Sequence, residues 1–227
     1  MRRKLNQSFP RTNARAVLFD LDGTLADTAP DLARALNRVR AAHRLAPIPV
    51  AIARPYASSG ARGLLKVGFG LDPEDERYEA LKLQFLDFYA AGICVDTRLF
   101  DGMAELLALL DRDGLPWGVV TNKAERFTFP LLQRLHLDER AACVVGGDTA
   151  ARAKPHPDPL LHAAAALQLP PSACLYVGDD LRDVQAARAA GMRVIAVKYG
   201  YLGDGGPIES WKADAIIDHP REVLDYL

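Results

Sequence analysis

Cysteine is scarce in this chain. Three residues in 227, Cys94, Cys143 and Cys174, form an odd and widely spaced set. Such a set builds no disulfide framework and offers no zinc-binding spacing. Excess charge is missing as well. The formal net charge is −1, which gives no general electrostatic reason to bind nucleic acid or an anionic membrane. No apolar run approaches the roughly 18 residues that a bilayer span requires. The basic start (Arg2, Arg3, Lys4, Arg11) is not followed by an apolar stretch, so a secretory signal is not expected. There is no Gly-x-x-x-x-Gly-Lys-Ser/Thr segment for cradling a nucleotide and no Gly-x-Ser-x-Gly nucleophile elbow. Internal repeats and low-complexity tracts are also lacking, although 161–166 is rich in alanine, a good helix former. These absences point to a reduced, cytoplasmic setting, with a monomer or weak homodimer as the default.

What is present reads as an α/β protein. About half of the residues are apolar, enough for a substantial core. After the first run, Ala16-Val17-Leu18-Phe19, short apolar runs recur from about residue 98 onward. They are Gly118-Val119-Val120, Cys143-Val144-Val145, Leu175-Tyr176-Val177, Val194-Ile195-Ala196-Val197 and Ala215-Ile216-Ile217. Most are continuous rather than alternating, as in parallel strands buried on both faces. Helical patterns over 102–112, 125–135, 157–168 and 181–190 separate them, the last stopping at Gly191. This alternation predicts a Rossmann-like, doubly wound parallel sheet, whose ligands bind beyond the carboxyl ends of its strands. Residues 28–95 break the rhythm and read as helices only: 29–43, 48–56, 60–68 and 74–90, with Pro30, Pro47, Pro49 and Pro73 near starts and joints. The expected organisation is an N-terminal tail (1–14), an α/β core (15–27 and 98–227) and an inserted helical domain (28–97). Trp117 and Trp211 are expected to pack, and Cys143 and Cys174 to be small core residues.

The acidic residues cluster at strand ends. Asp20 and Asp22 follow the first apolar run within Asp20-Leu21-Asp22-Gly23-Thr24-Leu25-Ala26. Two apart, they share a face of an extended strand, and Gly23 lets the backbone turn. Asp179, Asp180 and Asp183 follow the run ending at Val177. Five converging carboxylates cannot all stay ionised without positive charge among them. A divalent cation answers this, and Mg²⁺ prefers oxygen ligands.

Four motifs stand in order: Asp20-Leu21-Asp22-Gly23-Thr24, Val119-Val120-Thr121-Asn122-Lys123, Lys154-Pro155-His156-Pro157-Asp158-Pro159 and Gly178-Asp179-Asp180-Leu181-Arg182-Asp183. With a helical insert between the first two, the chain over 15–227 resembles the haloacid dehalogenase superfamily of phosphohydrolases, and the insert matches that family's type 1 cap. Within it, Arg54-Pro55-Tyr56, Ser59-Gly60-Ala61-Arg62-Gly63-Leu64 and Tyr199-Gly200-Tyr201 resemble the phosphoglycolate phosphatases. The second and fourth motifs suit their relatives that act on N-acetylmuramic acid 6-phosphate.

The resemblance implies Mg²⁺-dependent hydrolysis of a small phosphorylated metabolite through an aspartyl phosphate, with 2-phosphoglycolate as the leading substrate. The muramic acid ester is the alternative, and sugar phosphomutase activity a more distant one. Asp20 would be the nucleophile, and Asp22 would protonate the leaving alkoxide and then deprotonate water. Burial and the neighbouring Asp20 would help Asp22 to hold its proton. Asp20, the carbonyl of Asp22, Asp179 and Asp183 would hold the metal, Asp183 directly or through water; Asp180 is left open between those roles. Lys154 would sit between Asp20 and a phosphate oxygen. Thr121 would offer its hydroxyl, and Asn122, Leu21 and Asp22 their backbone N–H groups. In the insert, Ser58, Ser59 and Arg62 are the candidates for contacting substrate, Arg62 by pairing a carboxylate. His156 is expected to be a loop residue.

Overall fold

The computed structural model describes residues 13–227; most of the expected N-terminal tail therefore lies outside the described residues. The chain runs through β1 (Ala16–Phe19), β2 (Ala26–Asp27), α1 (Ala29–Ala42), α2 (Val50–Ala53), α3 (Gly60–Phe69), α4 (Tyr78–Ala90) and β3 (Arg98–Leu99). It continues through α5 (Met103–Arg112), β4 (Trp117–Val120), α6 (Glu125–Arg134), β5 (Cys143–Val145), α7 (Asp158–Ala166), β6 (Cys174–Gly178), α8 (Leu181–Ala190), β7 (Arg193–Val197) and β8 (Ala215–Ile217).

Six strands form one sheet in the order β5-β4-β1-β6-β7-β8, and every neighbouring pair is parallel. β1 is central, with Phe19 opposite Val119 on one side and Val177 on the other. Continuous apolar runs are what such a strand needs, because its two faces enter different cores. Val17 and Phe19 join Leu106, Leu110, Trp117 and Leu131 on one face. Ala16 and Leu18 join Leu160, Ala163, Val184 and Ala187 on the other. The chain leaves β1 for β4 and β5 on one side and later crosses to β6, β7 and β8 on the other. The reversal places a crevice beyond the carboxyl ends of β1, β4 and β6.

Between β2 and β3 the chain is helical and has an apolar cluster of its own, including Leu32, Leu36, Leu64, Leu65, Leu81, Phe85 and Tyr89. Phe127 of α6 and Tyr201 reach into that cluster from the sheet side. Two features depart from the sequence expectation. The helix expected over 48–56 is α2 followed by a 3₁₀ stretch, Arg54–Ser59, where Pro55 supplies no backbone N–H. The helix expected from 74 starts at Tyr78, because Asp75 folds a turn by accepting from the Arg77 N–H at 2.9 Å. The short strands β2 and β3 have no counterpart in the sequence expectation either; two residues each are too few to carry a period. They pair antiparallel, Ala26 with Leu99 and Asp27 with Arg98, so the helical segment leaves and rejoins the sheet layer at adjacent points.

Asp31 ties this junction. Buried in the first turn of α1, its carboxylate accepts from the backbone N–H groups of Val95, Asp96 and Thr97 at 2.9, 2.8 and 3.1 Å, and from the Thr97 hydroxyl at 2.7 Å. Arg34 pairs with it at 2.7 Å and also holds the Gly92 carbonyl. Burial pushes the Asp31 carboxyl up, but these donors outweigh it and hold the group below its ordinary value of 3.8. Its contribution to stability is therefore complete above the unfolded-state value and is lost as pH falls through the lower folded value. Asp31→Asn is expected to lower stability by about 2 kcal/mol at neutral pH, because an amide accepts fewer of these bonds. Denaturation in urea at several pH values checks this: the gap between wild type and variant should narrow below about pH 4, and a gap that persists in acid would count against it.

Candidate active site

Asp20 is the first residue beyond β1, and its backbone N–H donates to the Val177 carbonyl of β6 at 2.9 Å. That bond sets the end of β1 against the strand that delivers Asp179. The chain turns at Gly23, with φ +89°, so that Asp179 can close over it; a side chain there would drive its Cβ into the Asp179 carboxylate. Gly200 packs just as closely against Asp179 and against the Gly23 carbonyl, leaving no room for a Cβ beside that of Asp179. The Asp179 carboxylate is then oriented by the Thr24 hydroxyl (2.9 Å) and the Tyr201 backbone N–H (2.8 Å).

Lys154 meets these acids from the loop before α7. Its buried ammonium lies 2.9 Å from Asp20 Oδ1 and 2.7 Å from Asp183 Oδ1, and donates to Tyr176 Oη (2.8 Å) and the Val120 carbonyl (3.1 Å). Asn122 fixes the loop: its side-chain amide donates to the Lys154 carbonyl and accepts from the Lys154 N–H, both at 2.9 Å. Tyr176 donates to the Val120 carbonyl at 2.9 Å and touches Asp183 Oδ1 at 3.2 Å.

The buried Asp20, Asp179 and Asp183 offer carboxylate oxygens that all lie within 4.8 Å of one another. Burial, together with the charges of Asp183 and Asp22, pushes the Asp20 carboxyl up to about 7 against the pull of Lys154. Burial and the charges of Asp20 and Asp183 drive Asp179 well above the carboxylate range. Lys154 is held charged despite its burial by Asp183 and Asp20. One ammonium among three buried carboxylates leaves a deficit of positive charge, and a hard divalent cation with oxygen ligands fits that donor set.

Asp22 occupies a separate position. Lys123 donates to both of its oxygens at 2.8 and 3.0 Å, and the Thr28 hydroxyl donates to Oδ1 at 2.5 Å. The same ammonium lies 4.8 Å from the centre of the Tyr89 ring on α4. The sequence expectation surrounded Asp22 with burial and Asp20 alone and did not include this cation.

Other expected site residues fall in different places. Thr121 is buried, lines the cavity above Asp20, and accepts from the Lys123 N–H at 3.2 Å. Asn122 also lines the cavity, but its side chain is committed to the Lys154 loop. The Leu21 N–H, expected to face a phosphate, instead donates to Asp20 Oδ1 at 2.8 Å. Ser58 and Ser59 line the cavity. Arg62 does not: it is exposed on α3, because the apolar face of that helix is carried by Leu64 and Leu65. Asp180, whose role the sequence left open, lies outside the carboxylate cluster. It caps α8, accepting from the Arg182 N–H at 2.9 Å, and its two oxygens take the Arg182 guanidinium at 2.8 Å each. Arg182 in turn donates to the Ser58 carbonyl at 2.7 Å, joining the sheet layer to the helical insert. Lys123, Tyr176, Thr24 and Thr28 were missed. Lys123 and Thr24 lie inside quoted motifs and Tyr176 is the one hydroxyl in its strand, so each carried a signal that apolar patterning ignores.

These side chains open into a cavity of about 510 Å³. Asp20, Thr121 and Lys154 line it on the sheet side, and Leu32, Phe85, Leu86 and Phe127 supply apolar wall. Lys154→Met would leave Asp20 and Asp183 buried without their shared cation. The expected loss is about 3 kcal/mol, read as a lower urea midpoint in metal-free buffer; an unchanged midpoint would show that Lys154 is not what balances them.

Residues 14–191 match the family model of haloacid dehalogenase-like hydrolases. An N-acetylmuramic acid 6-phosphate phosphatase of Pseudomonas aeruginosa is 46% identical over 217 residues, covering 96% of each chain. A phosphoglycolate phosphatase of Xanthomonas campestris pv. campestris is 45% identical, covering 93% of this chain and 95% of the other. Among solved structures, a predicted phosphoglycolate phosphatase from Haemophilus somnus 129pt superposes with a TM-score of 0.83 at 29% identity, covering 94% of this chain and 98% of that one. With its sheet order, its strand-end carboxylates and its full-length relatives in agreement, this chain belongs to the haloacid dehalogenase-like hydrolases.

Proposed function

We propose that this protein hydrolyses a phosphomonoester with a sugar-sized leaving group, in two steps through an aspartyl phosphate on Asp20, and that N-acetylmuramic acid 6-phosphate fits it better than 2-phosphoglycolate. The observation that carries the chemistry is the buried Lys154 ammonium, 2.9 Å from Asp20 and 2.7 Å from Asp183, beside a second acid held apart by its own cation. In the first step an Asp20 carboxylate oxygen attacks phosphorus, the ester P–O bond breaks, and the leaving oxygen takes a proton from Asp22, in the form in which one of its oxygens carries a proton in place of a contact to Lys123. In the second, water gives its proton to Asp22 and attacks phosphorus, releasing inorganic phosphate and restoring the Asp20 carboxylate. Lys154 and the Thr121 hydroxyl hold phosphoryl oxygens, and the buried setting strengthens each contact. Asp20, Asp179, Asp183 and the Asp22 carbonyl would hold Mg²⁺, which when bound supplies charge neutralisation for the phosphoryl group. The helical insert serves as a lid, clasped by Arg182 on Ser58, that excludes water from the aspartyl phosphate.

The size of the cavity favours the larger substrate. About 510 Å³ lies in the range of roughly 300–1,000 Å³ typical of sites that enclose ligands much larger than a two-carbon acid. The 45% identical phosphoglycolate phosphatase supports the smaller substrate as the second reading.

Asp20→Asn is expected to lower phosphate release by about 10³-fold or more with the far-ultraviolet circular dichroism unchanged; wild-type turnover in this variant would sink the aspartyl phosphate. Chelation with EDTA should abolish activity and added Mg²⁺ restore it, as followed by phosphate release. Activity that survives exhaustive chelation would remove the metal from the scheme.

A further inference from the structure

We propose that Arg126 is the carboxylate receptor of the cavity: its guanidinium binds a carboxylate carried by the leaving group of the phosphomonoester. This rests on the reading of the cavity as the leaving-group site. It follows from asking which cations lining the cavity already have a partner. Lys154 is taken by Asp20 and Asp183, and Lys123 by Asp22. Arg182 is bound to both oxygens of Asp180 and to the Ser58 carbonyl. Lys82, on α4 at the rim, pairs with Glu79 at 3.2 Å. Arg126 lines the same cavity with an exposed side chain, and among the described residues it has no carboxylate partner.

Two acids at the start of α6 have other partners. The Glu125 carboxylate accepts from the Thr149 hydroxyl, and the Asp148 carboxylate accepts from the Glu125 backbone N–H at 2.8 Å. What Arg126 does touch is an aromatic face, with its Cζ 4.7 Å from the centre of the Phe127 ring. That stacking orients a planar guanidinium and leaves its edge N–H groups free for bidentate capture of a carboxylate.

The wall between Arg126 and the reacting groups sets the kind of ligand. Phe127 meets Tyr89 with ring centres 5.5 Å apart, and Tyr89 lies 4.8 Å from Lys123 Nζ, which holds Asp22. Arg126 is therefore two aromatic rings removed, along the wall, from the cation on the proposed proton donor. A ligand complementary to this arrangement has phosphate at one end, a body that packs along the aromatic wall in the middle, and a carboxylate at the other. N-acetylmuramic acid 6-phosphate has that layout, and N-acetylglucosamine 6-phosphate is the same sugar phosphate without the lactyl carboxylate.

The test compares kcat/KM for these two esters in wild type, Arg126→Ala and Arg126→Lys. Wild type should prefer the carboxylated ester; Arg126→Ala should shrink that preference by about tenfold or more, mainly through KM, with Arg126→Lys in between. A wild type that does not discriminate, or a preference unchanged in Arg126→Ala, overturns the proposal. If wild type hydrolyses 2-phosphoglycolate but neither sugar ester, the size reading fails while the arginine is still judged. In that case a KM for 2-phosphoglycolate raised about tenfold in Arg126→Ala supports the receptor, and an unchanged KM overturns it.

Discussion

A single buried ammonium organises this molecule. Lys154 carries positive charge into a crevice where Asp20, Asp179 and Asp183 have been brought together out of water. Burial makes Asp20 and Asp179 sooner neutral than charged, and the upward shift of both records that tendency. The parallel sheet sets the arrangement, since neighbouring strands end together and each delivers a polar residue to the same edge. The loop that brings Lys154 is itself fastened by the Asn122 amide, so the second motif positions the third. Much of the polar chemistry at the edge is spent on holding one cation in register with its acids.

How much of this could be read from the sequence depended on the range of the interaction. Continuous apolar runs located all six strands of the main sheet, because burial on both faces leaves that signature in the local sequence. The strand-end acids were legible for the same reason: Asp20 and Asp179 follow such runs directly. The partners that orient them were not. Tyr176 looked like one more core residue in an apolar strand, and only the fold reveals that its hydroxyl meets Lys154. Lys123 is separated from Asp22 by about a hundred positions, and no local period encodes their contact. Arg62 differs in the opposite sense: the helix over 60–68 is legible, but which of its faces meets the cavity is not, and Arg62 sits exposed on α3 outside the cavity lining.

Asp180 shows how one residue type serves two purposes within four positions. Asp179 and Asp183 join the carboxylate cluster, whereas Asp180 lies outside it and forms the cap and counter-charge of Arg182. Burial pushes its carboxyl up, but the adjoining guanidinium overcomes this and holds it below its ordinary value. Its service is mechanical: it stiffens the arginine that grips the Ser58 carbonyl of the helical segment. The crevice and the helices above it are thus joined by a contact that begins one residue from a carboxylate of the cluster.

The pairing of β2 with β3 has a wider consequence. Because Asp27 and Arg98 sit side by side, everything between them is, to the six-stranded sheet, a closed excursion whose ends never separate. Lengthening or shortening such an excursion changes closure entropy only slowly. The architecture therefore permits wholesale exchange of the helical segment over an unaltered sheet, a modularity written into where two short strands happen to touch.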